Sequence, residues 1–264
     1  MLIRALKAFN RLPVNLTVKH IQTFGNQTNI LKDQKLDSPE AWDELRRAHP
    51  QFSIAQDREE WLRACNIEVK KDGQDGGLIV RAKAIAQFLT EKGITRVFSV
   101  GVGGAGLEYQ LKRLLPELKV IATEYAPENV EMLRRVFTEC DDIHTFDILR
   151  GNWNEVSDTA MPTMLIMYRV DPHFTDQEWR TIFANMHTAG VEDILYIPCG
   201  FLTMRSLVQR KLRILRLRFR GQQFVFSGYL RTAKVFASFW TRLYSAQTRD
   251  FGGLTGYALH REDK

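Results

Sequence analysis

The strongest constraint on the fold is an alternation that begins at Ile94. Residues 97–100, 120–123, 143–146, 163–168 and 194–197 are short apolar runs, and the stretches between several of them carry apolar residues at helical spacing. Runs this short, apolar at successive positions, suit strands buried on two faces, with the intervening helices as covers. The expected class is α/β with a mostly parallel sheet. The helices are expected from the glycines through Leu115, over 127–137 and over about 175–187. A further helix precedes the alternation: Ile79, Ala82, Ile85, Ala86 and Leu89 share one face, and Gly93 supplies the stop.

The first 78 residues read differently, as an N-terminal helical extension, leaving 79–264 as the main domain. Ser38-Pro39-Glu40 is a helix start, with Trp42 and Leu45 on its apolar face, and a second helix falls near 57–65 around Trp61 and Leu62. Residues 70–77 are polar and glycine-rich, hence a loop. Residues 1–32 contain no Asp or Glu, while Leu2, Ile3, Leu6 and Phe9 are spaced for a short amphipathic helix. No apolar stretch is long enough for a secretory signal or a membrane span. The expected location is cytoplasmic, with a mitochondrial presequence in 1–32 as the alternative. The three cysteines, Cys65, Cys140 and Cys199, fit neither a disulfide framework nor a zinc pattern, and the isolated His49, His144 and His187 give no metal signature.

Chemistry concentrates where the first expected strand ends. Gly101, Gly103, Gly104 and Gly106 follow residues 97–100 directly, where a tight turn and close backbone approach to a ligand are needed before a helix starts. Glu124 closes the next strand, 18 residues beyond Gly106, where a carboxylate can accept hydrogen bonds from both hydroxyls of an adenosine ribose. Together the two elements indicate a nucleoside site. Taken literally, Gly101, Gly103 and Gly106 satisfy G-x-G-x-x-G, so a nicotinamide-dependent oxidoreductase is one reading. Only about 160 residues follow the motif, which suffices to finish one sheet but leaves little for a second catalytic domain.

The segment V-I-A-T-E-Y-A-P-E-N-V-E-M-L-R-R, residues 120–135, resembles the second motif of class I S-adenosylmethionine-dependent methyltransferases. The resemblance spans about 79–189, with a terminal strand at 254–260. It implies a Rossmann-like, mostly parallel seven-stranded sheet with helices on both faces, and S-adenosylmethionine as cofactor. In that family the glycine-loop backbone at Gly101, Gly103 and Ala105 runs past the methionine part, Glu124 holds the ribose and Tyr125 packs on the adenine. Asp147 is placed to bind the adenine amino group, Ile148 to complete the adenine wall, and Tyr168 to lie beside the cofactor at the end of the fourth strand. One position departs: two residues before Gly101 the family usually has an acid, and here stands Ser99. That departure supports a third reading, a non-catalytic methyltransferase-like partner protein.

Tyr168 opens the run Tyr168-Arg169-Val170-Asp171-Pro172-His173. Side chains at the carboxyl ends of parallel strands face the ligand. Arg169 can orient an anionic acceptor, and His173, at an ordinary histidine pKa, can take a proton from it. The net charge of +6 is local. Between Asp193 and Asp250 lie eleven Lys or Arg and no acid, whereas elsewhere 26 basic residues face 31 acidic ones. Residues 194–249 are therefore expected to form the acceptor side and to favour an anionic glycan, lipid-linked or nucleic-acid acceptor, with peripheral membrane contact permitted. Within this segment Leu207, Val208, Leu212, Leu215 and Phe219 are expected to bury a helical stripe against the sheet, leaving arginines outside. A second helix is expected over 232–244.

Overall fold

The computed structural model describes residues 14–22, 38–48, 54–66, 77–157, 160–170, 173–219 and 225–262. The expected helix in the first residues, His49, Asp171 and Pro172 lie outside these, as do the side chains of Trp42 and Leu45.

Five parallel strands form the centre: β2 (Arg96–Val100), β3 (Lys119–Glu124), β4 (Asp142–Thr145), β5 (Thr163–Tyr168) and β6 (Asp193–Ile197). Two antiparallel strands, β8 (Tyr244–Phe251) and β9 (Leu254–Arg261), extend the edge, so the seven-stranded sheet runs β4-β3-β2-β5-β6-β9-β8. The chain winds outward from β2 in one direction and from β5 in the other. The crevice between their carboxyl ends is the switch point at which such sheets bind ligands.

Alternating residues of the central strands face opposite covers. Phe98, Val100, Leu165, Met167, Ile194 and Tyr196 pack against α7 (Asp176–Thr188) and α9 (Ala233–Trp240). Val97, Val120, Met164, Ile166, Leu195 and Ile197 pack against α3 (Leu78–Glu91) and α4 (Gly106–Leu114). α5 (Pro127–Val136) starts with Pro127 in its first turn, and α7 with a capping box in which the Thr175 hydroxyl accepts from Glu178 N–H at 3.2 Å. A single turn, α6 (Asn154–Ser157), precedes β5.

The extension is helical as expected in α1 (Pro39–Ala48) and α2 (Arg58–Cys65), but it also supplies a strand. β1 (Thr17–Gln22) pairs antiparallel with β7 (Val225–Arg231) in a separate ribbon. The chain returns at Arg231, which bridges Phe201 just beyond β6. Arg231 is fully buried, donates from Nε to Asp176 Oδ1 at 2.7 Å and lies over the Tyr229 and Phe239 rings. Thr17 Oγ1 donates to the other oxygen of Asp176 at 2.8 Å, tying β1 into the same knot. Arg249 likewise donates to Glu91 at 2.9 Å. Arg231 and Arg249 of the basic segment are thus compensated by acids from outside it.

The second helix of that segment is shorter than expected. α9 ends at Trp240, and Tyr244 already belongs to β8. The first, α8 (Met204–Phe219), opens on reciprocal hydrogen bonds between Thr203 and Ser206. Its stripe is not packed inward: Val208, Leu212, Leu215 and Phe219 are exposed, and only Leu207 of the five expected residues is half-buried.

Candidate functional site

The glycine turn is built by backbone conformation. Gly101 has φ +64° and Gly103 φ +58°, and Ala105 enters the left-handed region at +53° as α4 begins. Beside Gly101 the loop after β5 closes in: a Cβ there would lie 2.7 Å from Val170 Cγ1. That contact brings the residue after Arg169 to the first glycine. Above Gly103 and Gly104 the space is open, because a Cβ at either would meet nothing within 4 Å. The turn therefore offers a backbone cradle with room for a ligand.

Glu124 closes this cradle from β3. The Gly103 N–H donates to Glu124 Oε2 at 2.8 Å, and the side chain is 5% exposed. The end of β4 is fastened to the same residue, since Phe146 N–H donates to the Glu124 carbonyl at 3.0 Å. Asp147 follows, half-buried, with Oδ1 accepting from Leu149 N–H at 2.8 Å. Ile148 is buried in the cluster containing Phe146 and Trp153, and Tyr125 is half-buried beyond Glu124. Gly101, Gly103, Glu124 and Asp147 thus gather at the carboxyl ends of β2, β3 and β4. Tyr168 belongs to the α3 side, where its hydroxyl accepts from Arg81 at 3.0 Å.

Arg169 has φ +61° at the end of β5, and its N–H donates to the Ile197 carbonyl at 2.8 Å. Burial disfavours its charge, yet the Cys199 and Tyr168 side chains beside it raise its pKa on balance. His173 is half-buried. Burial pushes its pKa down to about 4, so it does not carry the near-neutral value expected from sequence. It is neutral at physiological pH, but at that value it is a weak base.

Two side chains reach the turn through contacts that the sequence reading did not find, Glu108 and Trp61. Ser99 lies on the α4 face of β2, and its hydroxyl donates to Glu108 Oε1 at 2.5 Å. Glu108 is 2% exposed, so a carboxyl does stand beside the position where the resemblance lacked one. Burial, with the Glu124 charge adding to it, pushes Glu108 up to about 7. The second is Trp61 of α2. Its Nε1–H donates to the Gly104 carbonyl at 2.8 Å, and its ring packs on Tyr109 and Phe137. A buried Trp two helices before the glycines carries a sequence signal for packing, not for this hydrogen bond.

Glu108 makes stability depend on pH. Between its ordinary value of 4.5 and about 7 the folded protein holds a proton that the unfolded chain has released, so this group's contribution falls as pH rises through that window. The penalty levels off above it at about 3 kcal/mol, from 1.36 kcal/mol per pKa unit. Glu108→Gln is expected to raise the melting temperature near pH 8 and to change it little near pH 5. Equal shifts at both values would mean that the charge is not what burial penalises. Cys65 and Cys140 flank this acid, and burial first, then Glu108 among the nearby charges, pushes both thiols to about 12.

Among the described residues no His, Cys, Asp or Glu cluster could hold a metal ion, and no helix is long and apolar enough to cross a membrane. No protein-family model and no curated protein matches the sequence. Solved structures match its fold. TnmH aligns at 16% identity and TM-score 0.50 over 84% of this chain and 61% of its own. The PH0226 protein of Pyrococcus horikoshii OT3 aligns at 11% identity and TM-score 0.51, covering 83% of this chain and 99% of its own. Magnesium protoporphyrin IX methyltransferase (ChlM) of Synechocystis PCC 6803, crystallised with bound S-adenosylmethionine, aligns at 10% identity and TM-score 0.50, covering 87% and 100%. The chain therefore spans less than two thirds of TnmH and the full length of ChlM. It has the Rossmann-like fold of class I methyltransferases.

Proposed function

We propose that the protein is an S-adenosylmethionine-dependent methyltransferase acting on an oxygen or nitrogen nucleophile of an anionic acceptor. The observation that carries this reading is the Glu124 carboxylate closing an open glycine cradle at the β2/β5 switch point. A ribose approaching that cradle meets a charged acceptor for its two hydroxyls. The bound cofactor supplies an activated methyl group on a sulfonium. Around it, the backbone at Gly101, Gly103 and Ala105 lines the methionine part, and Tyr125, Asp147 and Ile148 receive the adenine, while Tyr168 is held on the α3 side by Arg81. Glu108, reaching Ser99 from α4, sets a carboxyl beside the position where the methyltransferase pattern has an acid.

Catalysis then rests on alignment of acceptor and methyl group more than on proton removal. Arg169 orients the acceptor's anionic group. His173 accepts a proton only weakly, in keeping with its lowered pKa. The exposed Arg205, Lys211, Arg216, Lys234 and Arg242 bias the acceptor side towards phosphate, carboxylate or sulfate.

The literal G-x-G-x-x-G keeps the nicotinamide reading as the one to test against. Thermal melting of the full chain is expected to rise with S-adenosylhomocysteine and to stay unchanged with NAD(H). At a ligand concentration of a hundred times Kd, stabilisation amounts to about 2.7 kcal/mol. A rise with NAD(H) alone would replace the methyltransferase reading. Stabilisation by S-adenosylhomocysteine without transfer to any anionic acceptor would favour the non-catalytic partner protein.

A further inference from the structure

α8 has two apolar faces where a surface helix needs one. Leu207 and Ile214 are half-buried and face the body of the protein. A second line, Met204, Val208, Leu212, Leu215 and Phe219, is exposed, from 48% at Met204 to 83% at Phe219. At 3.6 residues per turn these five fall within an arc of about 80°, centred about 110° around the helix from Leu207 and Ile214. Exposed Arg205 and Arg216 border the line on one side and exposed Lys211 on the other. The 16-residue helix contains no acid, nor does any position from 194 to 249.

We propose that α8 is an interfacial helix that docks the protein on an anionic lipid bilayer, its Met204–Phe219 line entering the acyl boundary and its basic edges meeting head-group phosphates. The chemistry distinguishes this occupant from others. A second copy placing α8 on α8 about a two-fold axis would set basic edge against basic edge, with no acid on the helix to relieve them. A nucleic acid could stack a base only on Phe219 at the end of the line, while Met204, Val208, Leu212 and Leu215 offer aliphatic surface that bases do not use. A bilayer satisfies both features at once, since acyl chains take the aliphatic line while lipid phosphates take the cations flanking it. The helix is about 24 Å long and lies in the interface instead of crossing it. α8 leaves the sheet at the carboxyl end of β6, the same end that carries Glu124, so docking sets the acceptor side of the molecule towards the lipid.

The test is co-sedimentation of the full chain with vesicles of phosphatidylcholine alone and with one third phosphatidylglycerol. Binding is expected to the anionic vesicles only, weakened by added salt. Leu212→Asn combined with Leu215→Asn is expected to lower partitioning at least about tenfold, because two apolar side chains no longer leave water. Both leucines are exposed, so melting temperature and S-adenosylhomocysteine affinity should stay at wild-type values, and the result does not depend on whether the protein transfers methyl groups. Absence of binding to anionic vesicles, or undiminished binding by the double variant, would overturn the proposal. So would a dimer or a complex with an acidic protein that the double substitution dissolves while vesicle binding is nil.

Discussion

Glu124→Ala is expected to cut affinity for S-adenosylhomocysteine by at least about a hundredfold. Each hydrogen bond from a ribose hydroxyl to a charged carboxylate contributes about 1.5–3 kcal/mol, and the substitution removes two. The alanine also strands the Gly103 N–H, whose 2.8 Å bond to Oε2 helps to shape the cradle. Glu124→Gln separates these effects, because the amide oxygen can still accept from Gly103 while the charge is gone. Isothermal calorimetry is the measurement, with thermal melting as the control for folding. Unchanged affinity in a folded alanine variant would remove the nucleoside site from this end of β3.

The second large effect is expected at Trp61. Its ring is 2% exposed and packs in a three-ring cluster with Tyr109 and Phe137, with Nε1 bonded to the Gly104 carbonyl. Trp61→Ala should cost about 3–5 kcal/mol in urea unfolding, the usual loss for a large buried aromatic truncated to a methyl group. Trp61→Phe keeps most of the packing and loses the hydrogen bond, so it should cost about 1 kcal/mol and weaken cofactor binding through the loosened turn. A loss below about 0.5 kcal/mol for the alanine variant would make α2 an appendage, as a separable extension of residues 1–78 would be. The packing argues otherwise. Tyr109 and Phe137 belong to the main domain, and Gln110 Nε2 donates to the Cys65 carbonyl at 2.8 Å.

The extension shows where a local pattern stops informing. Its helices were legible from Ser38-Pro39 and from the apolar Trp61, and both formed. β1 was not, because T-V-K-H-I-Q becomes a strand by pairing with β7, some 200 residues later. β8 was missed for a related reason. Its S-A-Q-T-R-D interior is largely exposed and carries no apolar alternation, so only the ladder with β9 makes it a strand. The basic segment misled in the opposite direction. Its helical spacing was real, but spacing shows that residues share a face and not which face the protein covers. α8 turned Leu207 partly inward and left the stronger line outside.

The sequence by itself determined the five parallel strands, the glycine turn and the placing of Glu124 at the end of the second strand. These follow from periodicity and from the steric needs of a tight turn, which act over a few residues. Only the tertiary structure decided that Glu108 sits against Ser99, that Trp61 holds Gly104, that Arg231 is buried on Asp176 and that His173 is too desolvated to be an ordinary base. In each case the deciding quantity is burial or a partner distant in sequence. Desolvation and hydrogen bonding depend on which elements meet, and nothing within one element records its neighbour.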